Sequence, residues 1–221
     1  MRPYYEADGI TIYHGDAINV MGGLPPASVG VFVTDPPYGT RTTPREEWMV
    51  GEYSNVMPLA LPEMYRLGVH NAAIYLFSSW MMLADWSFRC SPYFRHQGTL
   101  VWDKGRHSGC WGKFSWQFHW EAIYYGLKGP RETVEYFPDV IRSNERPEEP
   151  MQKPIGVCER LIRASAGPDC VILDPFIGSG STLVAAKNLG RRAIGIEIEE
   201  RYCEIAAKRL SQQVLDLGGA A

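Results

Sequence analysis

The sequence has few of the features that a metal site or a disulfide framework needs. Its five cysteines include no CxxC pair, and an odd number of scattered cysteines in a chain of this length indicates reduced thiols that serve in packing. The five histidines show no metal-ligand spacing with those cysteines. We therefore predict neither a disulfide framework nor a metal site.

Long apolar runs are also missing from the sequence. No run approaches the roughly 20 residues of a membrane span, and the N-terminus, from Met1 to Glu6, lacks a signal-peptide pattern. The 221 residues, 45% of them hydrophobic and 21% charged, are typical of a globular protein with one buried core. These observations predict a cytosolic protein with a single domain over residues 1–221.

A formal net charge of −3 gives the chain no overall excess of positive charge to attract a nucleic acid. Phosphate binding needs only local positive charge, so the places where Lys and Arg gather matter more than the total. A solvated surface explains any single one of these side chains equally well. The basic residues that could form a phosphate-binding cluster are Lys104, Arg106, Lys113, Arg131, Arg142 and Arg146.

Strand and helix patterns alternate along most of the chain, which predicts a Rossmann-like α/β fold with an open, mostly parallel sheet. Apolar runs predict strands at 10–13, 29–34, 72–77, 99–102, 120–125, 170–173 and 192–196. Helical spacing predicts helices at 17–24, 59–67, 81–88, 155–164, 182–189 and 200–215. The strands at 99–102 and 120–125 predict an antiparallel hairpin at one edge of the sheet.

A binding motif follows the strand at 29–34 and consists of Asp35, Pro36, Pro37 and Tyr38. The two prolines have a fixed φ and no backbone N–H, so the peptide carbonyls here stay free to accept hydrogen bonds. A carboxylate beside a free carbonyl suits an amino group, which has two hydrogens to donate. With the aromatic face of Tyr38, the motif predicts a site for a flat ring that bears an exocyclic amine.

A second motif follows the strand at 170–173. Gly178, Ser179 and Gly180 form a loop before the next helix, and Glu197 lies 19 residues after Gly178. Glycines let the backbone approach a ligand, a helix N-terminus favours a carboxylate, and such an acidic residue holds ribose hydroxyls. The pattern indicates an adenosine-containing cofactor, and because the loop lacks a third glycine and a Walker lysine, a dinucleotide or a nucleoside triphosphate is less supported.

Together the two motifs make the sequence resemble the S-adenosylmethionine-dependent DNA amino-methyltransferases. The segments 35–38 and 174–182 occur in the order of the beta-type enzymes, in which the catalytic motif precedes the cofactor loop. The resemblance covers about residues 10–210 and implies one catalytic domain with a class I methyltransferase-like fold. It also requires the strand at 29–34 to pair with the strand at 170–173, so that both loops meet at one switch point.

The resemblance implies roles for individual residues. Asp35 and the Pro36 carbonyl bind the target amine and Tyr38 stacks on the base, with Pro37 completing the catalytic motif. Asp16 matches the position that accepts from the adenine amine of the cofactor, and a helix N-cap is the competing interpretation of this residue. The other residues implied to bind the cofactor are Lys153, Asp174, Phe176, Gly178, Ser179, Gly180, Ser181, Thr182 and Glu197.

The implied reaction is direct methyl transfer to the N6 amine of adenine in DNA. Aspartate in the first motif position resembles adenine-N6 enzymes, whereas cytosine-N4 enzymes usually carry serine there. A base inside a duplex must be flipped out first, at a cost of roughly a few kcal/mol. Trp111, Phe114 and Trp116 lie between the two hairpin strands, where they either stack on the flipped base or pack in the core or a lid.

Several alternatives stay open at this point. They are a cytosine-N4 DNA methyltransferase, an RNA or protein-glutamine methyltransferase, and an inactive DNA-binding homologue. The RNA and glutamine enzymes usually place the cofactor loop first, whereas Asp35 here precedes Gly178. Residues 39–55 are polar and rich in Thr and Arg, which predicts a long loop or an irregular helical lid, and the aperiodic residues 128–150 predict a target-recognition insertion or a linker. An insertion this short implies a short target site or a second subunit, as in a homodimer.

Overall fold

The structure is a computed structural model that describes residues 1–37, 56–105, 119–145 and 152–212. Its strands are β1 (Tyr5–Ala7), β2 (Ile10–His14), β3 (Val29–Thr34), β4 (Gly68–Ser78), β5 (Arg95–Asp103), β6 (Trp120–Leu127), β7 (Val140–Arg142), β8 (Val171–Asp174) and β9 (Arg192–Glu197). Its helices are α1 (Ala17–Gly22), α2 (Val56–Leu67), α3 (Leu83–Cys90), α4 (Ile155–Ser165), α5 (Ser181–Asn188) and α6 (Glu200–Ser211), and a 3-10 helix at Trp80–Met82 precedes α3.

The described strands form a single nine-stranded sheet in the order β1-β2-β9-β8-β3-β4-β6-β5-β7. Neighbouring strands from β2 to β4 run parallel, and β6 pairs antiparallel with both β4 and β5. The predicted open, mostly parallel α/β sheet with an antiparallel hairpin is therefore confirmed. The hairpin of β5 and β6 is one strand away from the edge, because β7 pairs in parallel with β5 outside it.

β3 lies near the centre of the sheet, and all six of its residues are buried. Because side chains alternate along a strand, Val31 and Val33 pack into the hydrophobic cluster on one face while Phe32 packs into the cluster on the other. Gly30 leaves room for a close neighbour, since a Cβ at this position would overlap Cys170 Sγ. Apolar burial on both faces explains why this strand is readable from sequence.

The pairing of β3 with β8 is the feature that positions the site. The two strands run parallel, with Val31 opposite Ile172 and Phe32 opposite Leu173. The strand neighbours that the resemblance requires are thus confirmed. Since parallel neighbours end at the same edge of a sheet, the loop after β3 and the loop after β8 lie side by side.

Helices cover both faces of the sheet and bury one apolar stripe each. The helices α4, α5 and α6 lie on one face, and α1, α2 and α3 lie on the other. Among these helices, none has the length and hydropathy of a membrane span within the described part of the chain. Representative buried side chains, one from each helix in chain order, are Val20, Met64, Trp86, Val157, Leu183 and Ala206.

Arg131 corrects one sequence prediction. Its guanidinium donates to the backbone carbonyls of Gly30 (3.0 Å), Asn71 (2.7 Å) and Ser165. These contacts join the start of β3 to β4 and to the end of α4. They lie at the amino end of β3, and Asp35 follows its carboxyl end. Arg131 is therefore removed from the six candidates for phosphate binding, because its side chain is occupied in holding the fold together.

Some predictions fall outside the described residues. They concern Tyr38, the loop or lid at 39–55, the basic residues Arg106, Lys113 and Arg146, the aromatic residues Trp111, Phe114 and Trp116, and the end of the C-terminal helix at 213–215. Two described strands, β1 and β7, were not predicted. Each has only three residues, which is too short for an alternating pattern to stand out.

Candidate functional site

Four acidic side chains mark the ends of four neighbouring parallel strands. Asp16 follows β2, Glu197 ends β9, Asp174 ends β8, and Asp35 follows β3. Because these strands are adjacent and parallel, the four carboxylates lie along one edge of the sheet. Such an edge, at the point where the connections change direction, is where open α/β sheets bind ligands.

The loop after β8 is shaped by two glycines with positive φ, +49° at Gly178 and +85° at Gly180. A Cβ on Gly180 would lie 2.8 Å from the Cβ of Ala206, so glycine is needed there for α6 to pack against the loop. A Cβ on Gly178 would meet no described atom within 4 Å. The space beside Gly178 is therefore open to a ligand.

Arg209, on α6, fixes the middle of this loop. Its Nη1 donates to the carbonyl oxygen of Ser179 at 2.5 Å and lies 3.3 Å from Ser179 Oγ. Ser179, Ser181 and Thr182 are all buried, and Ser181 Oγ has no hydrogen-bond partner among the described residues. A buried hydroxyl in that state is suited to a polar ligand.

Glu197 links the ends of β8 and β9. Its Oε2 accepts from the N–H of Gly178 at 2.9 Å, and its Oε1 accepts from the N–H of Glu199 at 3.0 Å. Burial raises the pKa of Glu197 above its usual value, although these N–H groups act in the opposite direction. Each carboxylate oxygen has a second lone pair, so the side chain can also accept from a ligand hydroxyl.

Asp16 caps α1. Its side chain accepts from the N–H of Asn19 at 2.9 Å, and the N–H of neighbouring Gly15 donates to the Glu197 carbonyl at 2.9 Å. The competing interpretation of Asp16 as a helix N-cap is thus confirmed. The cap lies beside Glu197, which is compatible with the predicted role of Asp16 in cofactor binding. That role stays a prediction.

Lys153 lies directly against the catalytic motif. Its Nζ donates to Asp35 Oδ2 at 2.5 Å, and the next residue, Pro154, is the N-cap of α4. Pro36 is buried beside this ion pair, and Pro37 is half-buried. The structure therefore brings a residue predicted to bind the cofactor into contact with the residue predicted to bind the target.

Comparison with known proteins agrees with this geometry. Residues 101–208 match the family model described as DNA methylase (N6_N4_Mtase). YubD, a proposed methylase of Escherichia coli (strain K12), is 32% identical, and the alignment covers 93% of this chain and 93% of YubD. The chain belongs to the DNA methylase family. The family predicted from the two motifs is thereby confirmed, while the beta-type assignment stays a prediction.

Two further proteins are similar to this DNA methylase over most of its length. The DNA adenine methyltransferase YhdJ of Escherichia coli (strain K12) is 26% identical, with 90% of this chain and 82% of YhdJ covered. The crystal structure of TTHA0409, a proposed DNA modification methylase of Thermus thermophilus, in complex with S-adenosyl-L-methionine is 25% identical. Its TM-score is 0.73, with 90% of this chain and 92% of TTHA0409 covered.

The DNA methylase also contains site residues that its sequence alone does not indicate. Lys104 was one of six candidates for phosphate binding, and its Nζ donates to Glu121 near the start of β6. Because the ammonium is paired and largely buried, Lys104 contributes to this site rather than to an exposed phosphate-binding surface. The one available signal was a single acidic residue, Glu121, at the start of an otherwise apolar strand. Arg209 gave no such signal.

Asp174 makes the stability of the methylase depend on pH. Burial raises the pKa of this carboxyl from 3.8 to about 6, the negative charge of Asp35 adds to the effect, and the Phe176 N–H opposes it. The folded state therefore binds more protons than the unfolded state between about pH 4 and pH 6, so stability falls as pH rises through this window. Above pH 6 the ionised Asp174 carboxylate lowers the free energy of unfolding by about 3 kcal/mol.

We expect Asp174→Asn, which carries no charge, to remove this cost. In thermal unfolding without cofactor, the melting temperature of the variant minus that of the parent should increase as the pH is raised from 4 to 7. Asp169→Asn, at an exposed carboxylate before β8, is the control and should follow the parent at every pH. A constant difference between Asp174→Asn and the parent over the whole range would contradict the prediction.

Proposed function

We propose that this DNA methylase transfers a methyl group from S-adenosylmethionine to the exocyclic N6 amine of adenine in DNA. The proposal rests on one observation above all. β3 and β8 are parallel neighbours, so that Asp35 and the loop from Asp174 to Thr182 lie at adjacent strand ends. A target amine held at the first motif is thereby placed beside a cofactor held at the second.

The residues of the loop fit S-adenosylmethionine. The open space beside Gly178, the buried Ser181 hydroxyl and the Glu197 carboxylate offer room for backbone approach, a polar contact and an acceptor for ribose hydroxyls. The N-terminus of α5 adds a positive dipole end, which favours the methionine carboxylate. When bound, this cofactor supplies the activated methyl group. The complex of TTHA0409 with the same cofactor supports the assignment.

On the target side, the protein contributes acceptors and position. Asp35 is an acceptor-only carboxylate, and the Pro36 carbonyl is the second acceptor of the proposed pair. Two fixed acceptors orient both N–H bonds of the amine and thereby its lone pair, so positioning and electrostatics supply most of the catalysis. Tyr38 is proposed to stack on the base, which is flipped out of the duplex to reach this recessed position.

Adenine is the proposed base for two reasons. The catalytic motif begins with aspartate, and the relative YhdJ is named a DNA adenine methyltransferase. Cytosine-N4 transfer is the second candidate, because the same pair of acceptors suits either exocyclic amine and the family model covers both. A protein-glutamine or RNA substrate has no comparable support in the structure.

The decisive experiment identifies the methylated product. Purified protein is incubated with labelled S-adenosylmethionine and, in separate reactions, duplex DNA, RNA and a protein extract, and DNA products are digested to nucleosides for mass spectrometry. We expect N6-methyldeoxyadenosine. N4-methyldeoxycytidine would identify cytosine as the target base, and label in RNA or protein alone would identify a substrate other than DNA. No label with intact DNA binding would indicate an inactive homologue.

The edge strand β7 is the proposed DNA-facing part of the insertion at 128–150. Arg142, its last residue, has a side chain that is 84% exposed and an ion pair with Asp103 at 3.2 Å. Arg142 lies at the carboxyl end of β7, at the same end of the sheet as Asp35, and this position suits a phosphate contact. The predicted second subunit stays a prediction, which light scattering on the purified protein would test.

Arg142→Ala is expected to weaken DNA binding and to reduce its dependence on salt. Each phosphate contact adds about 0.9 to the slope of log K against log salt concentration, so the slope should fall by about that amount. Fluorescence anisotropy with a labelled duplex at several salt concentrations measures both. Arg95→Ala, an exposed arginine at the opposite end of the neighbouring β5, is the matched control. Equal slopes for Arg142→Ala and the parent would assign the segment to a linker.

A further inference from the structure

Glu121 connects two lysines that lie beside the catalytic motif. Lys104 Nζ donates to Glu121 Oε1, and Lys153 Nζ lies 3.7 Å from Glu121 Oε2. The same Lys153 ammonium donates to Asp35 Oδ2 at 2.5 Å. The four side chains thus form a row of alternating charge, +, −, +, −, in which each is between 12% and 23% exposed.

The four groups come from four separate places in the chain. Lys104 follows β5, Glu121 is the second residue of β6, Lys153 precedes α4, and Asp35 follows β3. Strand pairing sets Trp102 opposite Glu121, so the carboxylate is held at the edge of the sheet that carries the catalytic motif. The row therefore runs from the end of the hairpin strand β5 across the sheet to Asp35.

Glu121 is ionised in this row. Burial acts to raise its pKa, but the attraction of Lys153 and Lys104 outweighs burial and lowers the pKa below its usual value. Buried ion pairs are weak contributors to stability, since desolvation offsets most of their attraction. Two carboxylates and two ammonium groups beside a catalytic motif are thus better explained by a role in the site than by a role in folding.

We propose that Glu121 is a positioning residue for methyl transfer, which acts through Lys153 on Asp35. The negative charge of Glu121 offsets part of the positive charge of the Lys153 ammonium. Lys153 can then hold the Asp35 carboxylate in place while Asp35 keeps its strength as an acceptor for the target amine. The catalytic consequence rests on the proposed function, whereas the contact between Glu121 and Lys153 does not.

Glu121→Gln keeps the shape of the side chain and removes its charge. Lys153 then has Asp35 as its sole remaining carboxylate in the row, and Asp35 becomes a weaker acceptor for the amine. Because hydrogen bonds to charged groups are strong, we expect kcat to fall about tenfold to 100-fold at saturating DNA. The KM for S-adenosylmethionine should change less than about twofold. Glu63→Gln, in the ion pair of Glu63 with Arg66 on α2, is the matched control and should leave kcat unchanged.

A double variant distinguishes action through Lys153 from a separate structural effect. In the background of Lys153→Met, the intermediate that would carry the effect is gone, so adding Glu121→Gln should lower kcat no further than about twofold. The same fold loss in both backgrounds would overturn the proposal. Unchanged kcat in the single variant Glu121→Gln, with an active parent, would overturn it as well while leaving the proposed function in place.

A readout without catalysis tests the contact itself. In lysine-selective NMR, the Nζ signal of Lys153 is identified by its loss in Lys153→Met. We expect this signal to shift or broaden in Glu121→Gln and to stay in place in Glu63→Gln. An unmoved signal would overturn the proposal. If the parent methylates no DNA, the proposed function falls, and the NMR signal still decides whether Glu121 positions Lys153.

Discussion

Asp35→Ala should lower kcat for methyl transfer to duplex DNA by at least about 1000-fold, which corresponds to about 4 kcal/mol of transition-state free energy. Two losses add up to this effect. The carboxylate no longer accepts from the target amine, and the Lys153 ammonium, which donates to Asp35 at 2.5 Å, is left beside the place of that amine. The affinity for S-adenosylmethionine should stay within about threefold, because the loop after β8 is unchanged.

Kinetics at saturating DNA and calorimetric titration of the cofactor measure the two quantities separately. Asp85→Ala is the control, since Asp85 also forms an ion pair with a basic side chain, Arg89, but lies on the surface of α3. It should leave both quantities unchanged. If Asp35→Ala methylated duplex DNA as fast as the parent, the proposed mechanism would have to be abandoned. Parallel losses of kcat and cofactor affinity would instead indicate that Asp35 supports the cofactor loop.

The parts of the fold that sequence predicts well are those in which one physical signal dominates. β3 was predicted with the bounds that the structure shows, because a run that is apolar on both faces suits a central parallel strand. The glycine loop was recognisable because few residues other than glycine adopt the positive φ found at Gly178 and Gly180. In both cases the local sequence carries the constraint.

The contacts that were missed depend on residues that are distant along the chain. Lys153 is 118 residues from Asp35, and Arg209 is 30 residues from Ser179. From sequence, Lys104 was one of six candidates for phosphate binding, with a solvated surface as the equal alternative. Its partner Glu121 becomes a neighbour only when β5 and β6 pair. Charge partners of this kind follow from the register of the sheet, which a single sequence does not specify.

The same distinction explains why the motif pair was informative. Taken alone, Asp35 is an aspartate that follows a strand and precedes two prolines, and this pattern is common in turns. The requirement that β3 and β8 be neighbours is a statement about topology, and the observed pairing satisfies it. The acidic edge formed by Asp16, Glu197, Asp174 and Asp35 then follows from the parallel order β2-β9-β8-β3.

Gly178→Val should raise the dissociation constant of S-adenosylmethionine at least about 30-fold. The φ of +49° is unfavourable for a β-branched residue, and the new methyl groups enter the open space beside the loop, where the cofactor is proposed to lie. The N–H of Gly178 also donates to Glu197, so a shifted backbone would disturb the acceptor proposed for the ribose. Isothermal titration calorimetry measures the change.

Gly190→Val separates loss of the ligand space from backbone strain. Gly190 lies just beyond the other end of α5, has a φ of +62°, and a Cβ there would also meet no described atom within 4 Å. Both valine variants should therefore lose stability to a similar extent in thermal unfolding, on the order of 1–3 kcal/mol. Only Gly178→Val should lose affinity for the cofactor. Equal affinities in the two variants would place the cofactor away from Gly178, since strain alone would then account for both.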